Sequence, residues 1–161
     1  MAFHGDLADP VSSDPVARES TRVAAVVTSN AQATYDLQTI ERAFHTRLLP
    51  KFLIDLFGAA SIDDLRDARL SDKEREASPA VYIHAGEPPT LAYYTSDERA
   101  SLPPNSPAEA YIHNPAQGRY LEQVARERGA NIEVHAGHEY PGGWDGFLYA
   151  AAAFLDASLR R

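Results

Sequence analysis

One stretch constrains the fold of this 161-residue chain more than any other. It begins at Pro88 to Asp97, P-P-T-L-A-Y-Y-T-S-D, a short apolar run that opens into a polar loop with a carboxylate. It closes at Asn131 to His138, N-I-E-V-H-A-G-H, a second strand-like run ending on two histidines. Between them Pro115 to Arg128 has the pattern of a helix. A strand, a helix and a strand in this order form a crossover unit, which returns the chain in parallel to the same sheet with right-handed sense. Asp97, His135 and His138 are then expected at the carboxyl edge of one parallel sheet, where α/β proteins bind their ligands. No nucleophile with a recognisable setting accompanies them.

The rest of the chain supplies a further strand and several helices. Arg22 to Thr28, R-V-A-A-V-V-T, is a continuous β-branched and alanine run, which predicts a parallel strand covered on both faces. Ser29 to Asp36 is small and polar, as loops at a sheet mouth are. From Asp36, a suitable N-cap, Leu37, Ile40, Phe44 and Leu48 recur at helical spacing up to Pro50. Phe52, Leu53, Leu56 and Phe57 form a second apolar group that ends at Gly58, a C-cap. Ser61 is placed to cap a third helix, and Asp72 a short K-E-R-E turn. These short helices, about residues 36–77, are either a cap-like excursion or the helical layer of the sheet, and the pattern alone leaves both open.

Ser78-Pro79 and Glu87-Pro88-Pro89 bracket V-Y-I-H-A-G and predict extended chain leading into the strand at Thr90 to Thr95. After Asp97 comes a loop with Pro103, Pro104 and Pro107, ending where Asn114 can cap a helix that has Pro115 in its first turn. Tyr120, Leu121, Val124 and Ala125 form that helix's apolar stripe, and Gly129 stops it. Trp144 to Leu159 reads as a closing amphipathic helix, and Met1 to Arg18 as a polar surface loop. No repeat or linker divides the chain, so residues 1–161 are expected to form one domain.

Charge narrows the partners. Lys and Arg total 15 against 23 Asp and Glu, a net charge of -8, too acidic a balance for a phosphate-tracking surface. No nucleic-acid or membrane partner is expected. The absence of cysteine excludes disulfides and a thiolate nucleophile. No secretory pattern is visible at Met1, so a cytoplasmic location is expected. G-x-G-x-x-G, G-x-x-x-x-G-K-[ST] and G-x-S-x-G are all absent, so no cofactor is expected and no nucleophile elbow lies in the chain. His135 and His138 have H-x-x-H spacing, but at a strand end with Gly137 between them their side chains diverge, and no metal is expected. His4, His45, His84 and His113 read as structural. Ser29 and Thr95, near the strand mouths, are hydroxyls whose sequence setting gives no sign of activation. Asp97 is either an ordinary loop carboxylate or an acid that orients a histidine.

Three runs, H-G-D-L-A-D-P, D-P-V-A-R-E-S-T-R-V-A-A-V and N-A-Q-A-T-Y-D, together resemble the stretch that follows the nucleophile elbow in bacterial esterase/lipase-like α/β-hydrolases. The later S-P-A, E-P-P-T-L-A-Y-Y-T-S-D and N-I-E-V-H are similar to that family's last two strands. The resemblance implies an α/β class chain with a partial α/β-hydrolase fold: a three-stranded, mainly parallel sheet with flanking helices and a helical cap excursion. It implies a carboxylic-ester hydrolase in which Asp97 is the triad acid and His138 the histidine. Glu98 is the rival acid, His135 the rival base, and Y-T-S stands where the family commonly has a glycine before the acid.

The serine elbow and oxyanion loop would then lie upstream of Met1, and this chain alone would be inactive. A small-molecule ester is the implied partner of the completed protein. The strand Val23 to Thr28 would be left with an unpaired edge open to self-association. The rival reading is a non-catalytic remnant or binding protein that retains the half-sheet.

Overall fold

Three strands, Val26–Ser29 (β1), Thr90–Tyr94 (β2) and Ile132–Ala136 (β3), pair in parallel in the order β1-β2-β3. Val26 lies opposite Thr90, and Thr90 in turn opposite Ile132, so the three strands run almost in step toward one edge. The computed structural model describes residues 2–46, 51–97, 106 and 109–160. The sequence expectations for Leu48, Pro50, Glu98, Pro103, Pro104 and Pro107 fall outside these residues.

β2 is central, and all five of its residues are buried. Its alternation divides the core in two. Ala92 and Tyr94 join Ile132 and Val134 of β3 against Leu121, Val124 and Ala125 of the helix Pro115–Arg128 (α6), with Ala80 and Ile83 in the same cluster. Leu91 and Tyr93 face the other way, onto Phe147 and Ala151 of the helix Trp144–Leu159 (α7). Tyr93 and Phe147 stack with ring centroids 4.5 Å apart. Each such side chain removed from water contributes roughly 1.5 to 3 kcal/mol, which makes these two interfaces the main support of the sheet.

Local chemistry sets the ends of α6. Asn114 accepts from the Ala116 amide at 2.9 Å, Pro115 occupies the first turn, and Gly129 closes the helix with φ 74°. Gly118 lets α6 sit close to the sheet, because a Cβ there would lie inside van der Waals contact of Tyr94 and Val134. Tyr94 cannot swing aside freely, since its hydroxyl donates to the Ala31 carbonyl at 2.6 Å.

The segment between β1 and β2 contains the helices Leu37–Phe44 (α1), Phe52–Phe57 (α2), Ala68–Ala77 (α3) and Pro79–Tyr82 (α4). Leu37, Ile40 and Phe44 pack with Leu53, Leu65 and Tyr111 into a cluster of their own, which meets α6 through Ala116 and Tyr120. Asp36 caps α1, accepting from the Thr39 amide at 3.1 Å, and Gly58 ends α2 in the left-handed region.

Four expectations are corrected. β1 is not covered on both faces: Val26, Val27 and Thr28 are half-buried and Ser29 is exposed, because among the described residues β1 pairs only with β2. α1 ends at Phe44, where His45 turns left-handed with φ 52°. Asp72 lies inside α3, and the cap there is Asp67, which accepts from the Arg69 amide at 2.9 Å; Ser61 instead precedes a 3₁₀ turn at Asp64–Arg66. Pro79–Tyr82 is helical rather than extended, since Pro79 serves as a first-turn residue. A short helix at Glu109–Ile112 (α5), which the sequence pattern did not indicate, precedes α6. No helix among the described residues is long and apolar enough to cross a membrane.

Candidate active site

Beyond Tyr94 the chain continues as Thr95, Ser96 and Asp97; beyond Ala136 it continues as Gly137 and His138. Parallel pairing of β2 with β3 delivers both segments to the carboxyl edge side by side. The Gly137 amide donates to the Ser96 carbonyl at 3.3 Å and ties them together. Gly137 is required for space: a Cβ there would lie 2.6 Å from the Thr95 carbonyl oxygen.

One residue further on, Nδ1 of His138 lies 3.0 Å from Oδ1 of Asp97, with the side chains 27% and 38% exposed. The pair is thus half-shielded, open enough for a substrate and close enough for a carboxylate to fix the ring's tautomer. No hydroxyl among the described residues is hydrogen-bonded to His138.

His135 goes elsewhere. It is opposite Tyr93 in register, so it shares the α7 face of the sheet, where its ring packs 4.9 Å from that of Tyr140. Its Nδ1 lies 3.0 Å from Glu139 Oε2 and its Nε2 lies 2.6 Å from Glu133 Oε1. Burial alone would raise the Glu139 carboxyl. The Ala136 amide, the Arg119 guanidinium and His135 outweigh it and hold the group below its ordinary range. Tyr140 is raised, first by burial and then by the nearby Glu133 and Glu139 carboxylates.

The ends of β1 and β2 are clasped by Asn30. This residue adopts φ 51°, accepts from the Thr95 amide at 2.9 Å through its side chain, and offers its own carbonyl to His113 Nδ1 at 2.8 Å. Thr95 Oγ1 is 3.2 Å from the Asn30 amide nitrogen, so that hydroxyl serves the clasp. Ser29 is exposed at the end of β1. Other histidines have local partners: His84 Nε2 lies 2.7 Å from the buried Glu87 carboxylate, and His4 packs on Tyr82 with centroids 4.0 Å apart. Asn30, Gly137, Glu139 and Arg119 are site-building residues that sequence reasoning missed. Only Asn30 carried a readable signal, as an asparagine just beyond a strand, where left-handed backbone is tolerated.

Two open cavities flank this edge of the fold. One, about 660 Å³, lies between α1 and α6 and is lined by Arg42, Phe44, Arg119 and Tyr120 among others. The other, about 510 Å³ and mainly apolar, runs along β1 and is lined by Leu7, Val23 and Val27 with part of the N-terminal segment.

The class this defines is a mixed α/β protein with a three-stranded parallel sheet, flanking helices and a carboxylate–imidazole pair at the carboxyl edge. Comparison of the chain with models of known protein families, with curated proteins and with solved structures returned no match.

Proposed function

We propose that the chain is the acid-and-base part of a serine carboxylic-ester hydrolase of the esterase/lipase-like α/β-hydrolase kind. The single observation that supports this reading is the 3.0 Å approach of His138 Nδ1 to Asp97 at the ends of adjacent parallel strands. In the proposed reaction Asp97 holds the Nδ1 proton, which leaves Nε2 free to accept a proton from a serine hydroxyl. The serine oxygen attacks the ester carbonyl, the alcohol departs with the proton carried by His138, and water then releases the acid in the same two steps.

The serine and its oxyanion donors are supplied in this proposal by residues outside the present sequence. A second reading, a non-catalytic protein that retains the half-sheet, is favoured by one observation: no hydroxyl among the described residues is bonded to His138.

The coding sequence upstream of Met1 separates the two. The hydrolase reading expects an in-frame G-x-S-x-G with a glycine-rich loop before it. The extended protein should hydrolyse short p-nitrophenyl esters, and Asp97→Asn should lower kcat by roughly 10⁴-fold, the scale set by loss of a triad acid elsewhere. An in-frame stop with no elbow, or turnover indifferent to His138→Ala, would overturn the proposal.

A further inference from the structure

The turn that presents His138 is held from beneath by side chains that the proposed reaction does not use. The Glu139 amide closes the turn onto the Ala136 carbonyl at 2.9 Å, and the Glu139 carboxylate folds back under it. Oε2 accepts from the Ala136 amide at 3.0 Å and lies 3.0 Å from His135 Nδ1. Oε1 accepts from Arg119 Nη2 at 3.1 Å. Arg119 is carried by α6, and its Nη1 donates to the Val134 carbonyl at 2.8 Å. One carboxylate thereby joins the end of β3, the His135 ring and α6, and it belongs to the residue next to His138.

We propose that Glu139 is the positioning residue for His138: by locking the turn Ala136–Glu139 it sets the direction in which the His138 ring leaves the chain, toward Asp97. This inference rests on the reading of Asp97 and His138 as acid and base. The chemistry requires a carboxylate. Donors approach both oxygens, the Ala136 amide at one and the Arg119 guanidinium at the other, and an uncharged amide has only one oxygen to offer them. The ionised form is also the form this environment favours. Glu133 is the internal control, because it touches the same His135 ring but makes no bond to the turn backbone.

The test is the tautomer of His138, read from side-chain ¹⁵N shifts of the chain at neutral pH. Wild type is expected to hold the proton on Nδ1, facing Asp97. Glu139→Gln should lose that signature, while Glu133→Gln keeps it and the α6 amide resonances stay in place in both. Should Glu139→Gln fail to fold, Arg119→Gln removes the hold on Oε1 and should weaken the signature in the same direction. A wild-type chain with no Nδ1–H signature would overturn the acid–base reading and this inference together. A wild-type signature that survives in Glu139→Gln, or that Glu133→Gln abolishes equally, would overturn the positioning role alone.

Discussion

Gly137→Ala tests whether the site depends on the close approach of the two post-strand segments. The alanine methyl would be placed 2.6 Å from the Thr95 carbonyl oxygen and 3.3 Å from its carbon, distances that side-chain rotation cannot relieve because the obstacle is backbone. The segments must separate by several tenths of an ångström, and the Gly137–Ser96 hydrogen bond, already long at 3.3 Å, is the contact that gives way. Its loss costs roughly 0.5 to 1.5 kcal/mol, and forcing an extra methyl into a packed site about 1 to 3 kcal/mol. Together they come to about 2 to 4 kcal/mol, a large share of the roughly 5 to 15 kcal/mol that holds a domain folded. For a chain of this length that corresponds to a fall in Tm of about 5 to 15 °C. Far-UV circular dichroism melts measure it, with Gly5→Ala as the control, since a Cβ at Gly5 meets nothing within 4 Å. The same separation should move His138 away from Asp97 and remove its Nδ1–H signature. If Gly137→Ala melts within about 1 °C of wild type, the steric argument fails.

Three further outcomes are expected. Glu74 is buried with Oε1 unpartnered, and burial raises its carboxyl, so its stability contribution is full below the ordinary value and is lost as pH rises through the folded one. Glu74→Gln should therefore match wild type near pH 4 and exceed it by about 1 kcal/mol at pH 7 in urea titrations; a deficit at pH 7 would refute this. Asp6 is held at about 2 by the Ser20 hydroxyl, then by the Thr21 and Ala8 amides, so its contribution is present above 3.8 and disappears as pH falls toward that value. Melts of Asp6→Asn should lie slightly below wild type at pH 6 and converge with it near pH 2, whereas a constant gap would point to another cause. The free edge of β1 should drive concentration-dependent self-association in light scattering, reduced by Val23→Lys; a monodisperse monomer at high concentration would contradict it.

The parts of the fold that were legible in the sequence are those fixed by local chemistry. Asn114, Pro115 and Gly129 mark both ends of α6 through a cap, a first-turn proline and a left-handed stop, none of which needs the rest of the chain. The parallel order followed because two strands joined by a helix have few alternatives. What was misread depended on partners distant in sequence. V-A-A-V-V reads as a doubly covered strand, but coverage is a property of neighbours, and β1 has one. Pro79 reads equally well as a breaker or as a helix start, and it is the packing of Ala80 and Ile83 against α6 that stabilises the helix. Glu139 gave no signal because its role is defined by Arg119, twenty residues away on another element.

The two outer strands differ in a way that bears on how the proposed site would be completed. β3 carries Glu133 and His135, and the half-exposed Glu133 carboxylate blunts that side of the sheet against further pairing. β1 has no charged residue, and the approach to it, with Val23 48% exposed, borders the apolar groove of about 510 Å³. A strand that joins this sheet therefore gains most by adding beside β1. If it adds in parallel, its carboxyl end arrives beside Ser29 and Asn30, at the same edge that carries Asp97 and His138. On the proposed reading that is where a serine would have to stand. The Asn30 clasp, which already binds the end of β1 to Thr95, would then hold the strand next to the nucleophile in register with the segment that bears the acid.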